Sequence, residues 1–375
     1  MEQLNVPQGR FSLARYPIRK NDLLRAWDAA DEYLLNHIHE QQLCKPSMNI
    51  LILNDSFGAL TTALAGYQPW SLSDSYLAQE GAKANLERNK IDAKPIKLCS
   101  SLEYPTEQMD LVVMKVPKSL SMLEEQLHRI RPLLKSDTVI IAAAMAKLIH
   151  TSTLNHFERL IGETKTSLAV KKARLIFAAP NLTLSVGENP YPLTLALENT
   201  AYQLCNHANV FSRERLDIGT RFFLQHLPRN NAQHIVDLGC GNGVVGLIAA
   251  ERNPEAYISF VDESFMAVDS AKTNFEKAFP ERRACFLATD CLAGVEPNSA
   301  DLILNNPPFH QNNTVGDFIA QQMFREAKNV LKTGGELWVI GNRHLGYHVS
   351  LRKLLGNCEM VASNQKFVIL RSIKY

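Results

Sequence analysis

His234-Ile235-Val236-Asp237-Leu238-Gly239-Cys240-Gly241-Asn242-Gly243 is the stretch on which the fold turns. A short apolar run ends in an acid and passes at once into three glycines at alternate positions. Residues 244–252 then carry a helical apolar pattern. Glycine allows the tight reversal such a passage needs, and it lets another molecule come close to backbone atoms. Strand, glycine turn and helix in immediate succession open a parallel α/β sheet.

Outward from this stretch the pattern repeats. Strands are expected at 256–261, 284–287, 301–305, 336–341 and 366–373, and helices at 244–252, 265–278, 318–330 and 348–355. Alternation of this kind predicts a doubly wound α/β sheet with helices on both faces. The direction of the last strand is left open, because a helix and a Gly356-Asn357 turn precede it.

The first half echoes the second. The apolar run 49–54 ends in Asp55-Ser56-Phe57-Gly58, Leu72-Ser73-Asp74 parallels Val261-Asp262, and residues 110–114 followed by Lys115-Val116-Pro117-Lys118 parallel 301–305 followed by Asn306-Pro307-Pro308-Phe309. Matching Gly58 to Gly241, Asp74 to Asp262, Asp110 to Asp301 and Lys135 to Lys332 gives offsets of 183, 188, 191 and 197. Slowly rising offsets suit an old duplication. The copies diverge where chemistry would sit: one glycine replaces three, and a lysine, which cannot accept a hydrogen bond, replaces Asn306. Two tandem domains are expected, a degenerate one over 1–178 and a catalytic one over 200–375. Residues 179–199, rich in Pro, Asn and Thr, read as a linker with a hairpin from 182–186 and 193–197.

The bulk numbers narrow the classes. With 375 residues, 46% hydrophobic and 21% charged, the chain is a soluble globular protein of about two domains. No apolar run reaches the roughly 18 residues of a membrane helix, and the N-terminus lacks a signal-peptide pattern. Seven scattered cysteines without a CxxC suggest buried free thiols in a reducing cytoplasm and no metal site; a monomer is expected. Net charge is only +2; residues 1–178 carry 22 basic and 19 acidic residues, hence +3, leaving −1 for the rest. A nucleic-acid partner therefore has to be argued from local features.

The glycine loop is G-x-G-x-G through Gly239, Gly241 and Gly243, with Asn242 inside it, and lacks the dinucleotide spacing G-x-G-x-x-G. Asp237 before the first glycine suits an ammonium group and disfavours a pyrophosphate. S-adenosylmethionine has an ammonium; NAD does not. The helix after Gly243 is expected to present free N–H groups to a polar ligand. Asp262 ends the next strand, where it can accept two ribose hydroxyls, and Asp290 follows a third strand, within reach of an adenine amine. Each acid taken singly also reads as a helix N-cap.

Asn306-Pro307-Pro308-Phe309 closes the run 300–305. The lone pair of an exocyclic amine is delocalised into its ring, so the nitrogen attacks only if acceptors hold its two N–H bonds. Asn306 offers a side-chain carbonyl, Pro307 a backbone carbonyl whose direction the double proline fixes, and Phe309 a stacking face. The bland alternative is a tight turn. Beside the glycine loop, the tetrad points to methyl transfer onto a nucleobase NH2.

At these residues the chain resembles the class I S-adenosylmethionine-dependent methyltransferases. More closely, it is similar to the bacterial ribosomal RNA guanine-N2 methyltransferases with a duplicated domain. The resemblance rests also on Asn209-Val210-Phe211-Ser212, Leu216-Asp217-Ile218-Gly219-Thr220 and, for the large-subunit branch, on 26–33 and 53–60. It implies Rossmann-like folds, a silent first domain that assists RNA binding, and N2 methylation of one guanine of 23S rRNA, at position 1835 in the usual rRNA numbering. It also implies amine recognition by Asn306, stacking by Phe309, and a cofactor site at Gly239, Gly241, Asp262 and Asp290. Naked and partly assembled large subunits remain alternative substrates.

Two basic runs could hold phosphates: Arg10, Arg15, Arg19, Lys20 and Arg25 with Phe11, Tyr16 and Trp27 interleaved, and Lys171, Lys172 and Arg174. Either could equally be a solvated face. His310 stands next to the tetrad. Rival readings are an N2-guanine methyltransferase of 16S rRNA, a protein glutamine amide methyltransferase, a non-enzymatic RNA-assembly factor and, least favoured by the glycine spacing, a dehydrogenase.

Overall fold

A computed structural model describes residues 2–18, 24–308 and 314–375. The chain divides into two compact units, Met1–Tyr191 and Pro192–Tyr375, each built on a seven-stranded sheet. In the first unit β1 (Ile50–Leu53), β2 (Trp70–Ser73), β3 (Lys97–Ser100), β4 (Met109–Lys115), β5 (Leu134–Met145), β6 (Thr164–Thr166) and β7 (Ala173–Ala178) lie in the order β3-β2-β1-β4-β5-β7-β6. In the second, β8 (His234–Leu238), β9 (Tyr257–Asp262), β10 (Ala284–Ala288), β11 (Ala300–Asn305), β12 (Leu331–Asn342), β13 (Glu359–Ser363) and β14 (Phe367–Ile373) lie in the order β10-β9-β8-β11-β12-β14-β13. The two orders are the same.

Strands β8 to β12 run parallel, and β14 is antiparallel to both β12 and β13. The second sheet is covered on both faces. Leu302 and Leu304 of β11 face one apolar cluster with Leu247, Ile248 and Phe275; Ile303 faces another with Ala320, Phe324 and Leu351. Burying each such side chain is worth about 1.5–3 kcal/mol, which is why the central strands read as unbroken apolar runs. Strand β13 and the helix Ile218–His226 were not anticipated. The first is mostly exposed and lacks alternation; the second begins in a segment without a clear helical period.

The registers refine the internal repeat. Ile50 pairs with Leu111 as Ile235 pairs with Leu302, so β1 and β8 are offset by 185 residues, and Gly58 matches Gly243 rather than Gly241. Both glycines sit before a helix with φ of +81° and +78°, and each lies against an alanine, Ala82 and Ala271. Likewise Asp262 matches Ser73 rather than Asp74, at an offset of 189. The offsets 191 and 197 stand. The ion pair of Lys135 with Asp110 recurs as Lys332 with Asp301 at 2.8 Å, and each aspartate also accepts a backbone N–H from beside the first strand of its sheet.

The hairpin expected across the linker does not form. Leu193–Ala196 pairs with Gln203–Asn206 instead, while the Arg131 guanidinium donates to the carbonyls of Asn181 and Leu184 and holds that segment to the first unit. Trp27 lies in the first unit's core, so it cannot stack a base, and Lys171 pairs with Glu32 at 2.8 Å. Arg19 and Lys20 lie outside the described residues.

At the position of Asn306 the first unit has Lys115, whose Nζ lies 2.7 Å from Asp28 and 2.8 Å from Asp31. Burial pushes the Asp31 carboxyl up to about 6, against the pull of Lys115. Lys115→Ala strips two carboxylates of their cation and is expected to destabilise this unit by about 3 kcal/mol in urea melts. Without the pull of Lys115 the Asp31 carboxyl takes up its proton above the wild-type value of about 6, so the deficit should shrink as the pH falls toward 6.

Candidate active site

The parallel strands β8, β9, β10 and β11 all release their following loops at one edge of the sheet. Strands β9 and β10 lie on one side of β8 and β11 on the other, so the loops part at a topological switch point, where open α/β sheets bind ligands. Asp237 and Asp262 stand at the ends of β8 and β9, Asp290 follows β10, and Asn306 follows β11. The residues singled out from sequence are thus gathered at one edge.

The loop after β8 is held by its own polar groups. Gly239, Gly241 and Gly243 all have left-handed φ, between +53° and +78°. A Cβ on Gly243 would fall 2.7 Å from that of Ala271, whereas one on Gly239 would meet only Met323 at 3.5 Å and the Asn306 carbonyl at 4.0 Å. Asp237, 2% exposed, accepts from Gly246 N at 2.7 Å. Burial pushes its carboxyl up to about 8; the Gly246 N–H opposes the rise and the nearby Asp262 adds to it. Asp262 accepts from Gly241 N at 2.9 Å through one oxygen and from Ser264 N at 3.0 Å through the other. Asp290 accepts from Gln322 Nε2 at 3.1 Å.

Two expectations change. The Asn242 side chain turns inward, accepting from Val244 N at 3.2 Å and donating to Asn206 Oδ1 at 3.0 Å. The start of helix Val244–Arg252 is also less open than expected, because Asn242 engages the Val244 amide and Asp237 that of Gly246. These contacts fix the loop that a ligand would meet.

Across the switch point, Asn306 Nδ2 donates to Thr220 Oγ1 at 3.0 Å, and Asn306 Oδ1 is buried with no partner among the described residues. Pro307 is buried behind it. The neighbouring Asn305 amide is fully buried with both ends unpartnered. Phe309 and His310 lie outside the described residues. Sequence reasoning assigned no role to Thr220, Asn206 or Gln322. For Thr220 the available signal was its place three residues after a capping Asp217. Among the described residues, no group of three His, Cys, Asp or Glu side chains gathers as if for a metal, and no helix is long and apolar enough to cross a membrane. None of the seven cysteines is in a disulfide, and only Cys240 and Cys291 are buried.

Comparison with known proteins shows the family. Residues 1–182 match the family described as the RLMG N-terminal domain and residues 201–371 the methyltransferase small domain. Ribosomal RNA large subunit methyltransferase G of Streptomyces griseus subsp. griseus is 50% identical over 388 residues, with both chains covered in full. That of Erwinia tasmaniensis is 49% identical over 380 residues, again with both covered in full. The chain belongs to the ribosomal RNA large subunit methyltransferase G family. Among solved structures, the T. thermophilus 16S rRNA N2 G1207 methyltransferase, determined in complex with AdoMet and guanosine, matches with a TM-score of 0.77 at 18% identity, over 100% of this chain and 98% of that one. That likeness extends the shared fold over the whole length.

The loop glycines of this family member are expected to fail differently. Gly243→Ala forces a methyl against Ala271 in a left-handed backbone and should destabilise the second unit by about 2–4 kcal/mol. Gly241→Ala meets nothing within 4 Å and should cost only about 1–2 kcal/mol of backbone strain. Thermal melts of the two variants check the order.

Proposed function

We propose that this protein transfers the methyl group of S-adenosylmethionine to the exocyclic N2 of one guanine in 23S rRNA, giving N2-methylguanine. The observation that carries the reading is the buried, unpartnered Asn306 Oδ1 across the switch point from three strand-end acids. A buried acceptor without a partner costs about 1–3 kcal/mol, and the N–H of a guanine amine is a donor that would offset that cost.

S-adenosylmethionine supplies an electrophilic methyl on a sulfonium that needs no acid to leave. The protein's task is to align the amine. Asn306 Oδ1 accepts one N–H and the Pro307 carbonyl the other, so the nitrogen can pyramidalise toward the methyl. Phe309 stacks the base. Asp262, at the end of β9, takes the ribose hydroxyls. Asp290 meets the adenine amine, and Asp237 faces the ammonium of the methionine moiety. Gly239 and Gly241 leave room for the ligand; Gly243 and Asn242 hold the loop in shape. The family names support a large-subunit rRNA substrate. Residues 1–178 assist RNA binding, and the setting is the cytoplasm.

Asn306→Ala is expected to lower kcat on 23S rRNA by about 100- to 1,000-fold while S-adenosylmethionine still binds. Labelled methyl should enter rRNA and not protein fractions. An Asn306→Ala protein working at the wild-type rate would sink the assignment.

The Asp237 carboxyl adds a pH signature. Its folded value of about 8 lies above the unfolded value near 3.9, so its contribution to stability is complete below about pH 4 and is lost as the pH rises through 8. A cation lodged beside it acts in the opposite sense and expels the proton. S-adenosylmethionine affinity should therefore rise with pH toward 8, with nearly one proton released per site near pH 7. Calorimetry in buffers of different ionisation heat measures that count, and Asp237→Asn should abolish the release.

A further inference from the structure

We propose that Asp217 and Thr220 set the direction in which the Asn306 amide points, making Thr220 a positioning residue for methyl transfer. The proposal rests on the role given to Asn306 above.

The two ends of an asparagine amide are nearly equal in size, so either can face a pocket unless a neighbour decides. Turned the wrong way, Asn306 would aim N–H bonds at the N–H bonds of an incoming amine, and no hydrogen bond could form.

A directed chain of hydrogen bonds prevents this. Asp217 caps the helix Ile218–His226, and its Oδ2 accepts from Thr220 N at 2.9 Å. The same oxygen lies 3.5 Å from Thr220 Oγ1. A carboxylate only accepts, so the hydroxyl hydrogen is directed toward Asp217. Thr220 Oγ1 then shows Asn306 a lone pair, which only the NH2 end can use, at 3.0 Å. Oδ1 is left pointing away, buried and unpaired. Gly219 keeps the chain compact, since a Cβ there would fall 2.9 Å from Asp217 Oδ2 and 3.0 Å from the Phe367 ring.

The first unit supplies an internal comparison. Asp28 caps the helix Ala29–Glu40, Asp31 stands three residues later as Thr220 does after Asp217, and Lys115 holds the strand-end position of Asn306. There too the third helical residue touches the strand-end side chain, at 2.8 Å. The contact therefore belongs to the fold, and the residue types decide its outcome. Asp31 with Lys115 makes an ion pair that presents no acceptor; Thr220 with Asn306 makes a neutral bond that frees a carbonyl.

The test is a hydroxyl series at one position, assayed on 23S rRNA with the full chain. Thr220→Ser should stay within about threefold of the wild-type kcat. Thr220→Val and Thr220→Ala should fall by about 10- to 100-fold, with KM for S-adenosylmethionine within about twofold and melting curves close to wild type. Should the valine variant not fold, the alanine variant carries the comparison. Wild-type kcat in the alanine variant, or in a folded valine variant, would overturn the proposal, as would a serine variant as slow as the alanine one. Asn306→Ala run in parallel separates the two levels. If it is slow while Thr220→Ala is fast, only the positioning chain fails; if it is fast, the role of Asn306 itself fails.

Discussion

Strand β8 governs the second unit. It is buried on both faces and pairs in parallel with β9 on one side and β11 on the other. Parallel pairing brings the C-terminal ends of all three strands to one edge, and opposite directions of winding part the loops that follow. The gap is a consequence of topology and would exist for any side chains. What the sequence adds is polarity: acids at the ends of β8 and β9 and after β10, and an amide after β11. The same strand order in the first unit opens the same edge, yet there the strand ends carry other groups.

Legibility followed burial. Residues 244–252 and 265–278 were readable as helices to the residue, because the first is buried along nearly its whole apolar run after the glycine turn and the second presents a stripe of buried side chains at helical spacing. Strand β8 was equally plain. Strand β13 is solvated along most of its length, so its residues carry no periodic mark, and the hairpin at Leu193–Ala196 found a partner downstream that local composition could not single out. The repeat was visible but slipped, because like was set against like: Gly58 against the wrong glycine of the loop, and Asp74 against Asp262, whose partner by register is Ser73. In the first unit Asn54 takes the left-handed conformation of Gly239, with φ of +63° against +73°. Asparagine is among the few residues that tolerate that region, so the shared backbone shape hides behind unlike residue types.

The site was legible in its residue types and opaque in its hydrogen bonding. That acids and an amide end these strands is a matter of sequence. That Asn242 turns inward to Asn206 and that Asn306 is held by Thr220 depend on side chains brought together from positions 36 and 86 residues apart. No short window of sequence contains such a pair.

The two units differ most in what they leave unsatisfied. In the first, the Asn54 amide reaches the Lys115 carbonyl and Gln126, Asp55 accepts from Gly58, Ala59 and Thr61, and Lys115 is closed by two aspartates. In the second, Gly239 has no side chain to reach across, the Asn306 oxygen has no donor, and the Asp237 carboxyl is buried without a cation. Each omission weakens the empty fold, by about 1–3 kcal/mol for an unpaired buried acceptor alone. A sheet that can be closed by ordinary residues at Asn54 and Lys115, as the first unit demonstrates, is under no structural necessity to stay open at Gly239 and Asn306. On the reading proposed above, a ligand that brings a cation to Asp237, bulk over Gly239 and an N–H donor to Asn306 returns the stability forgone by the empty second unit as binding free energy.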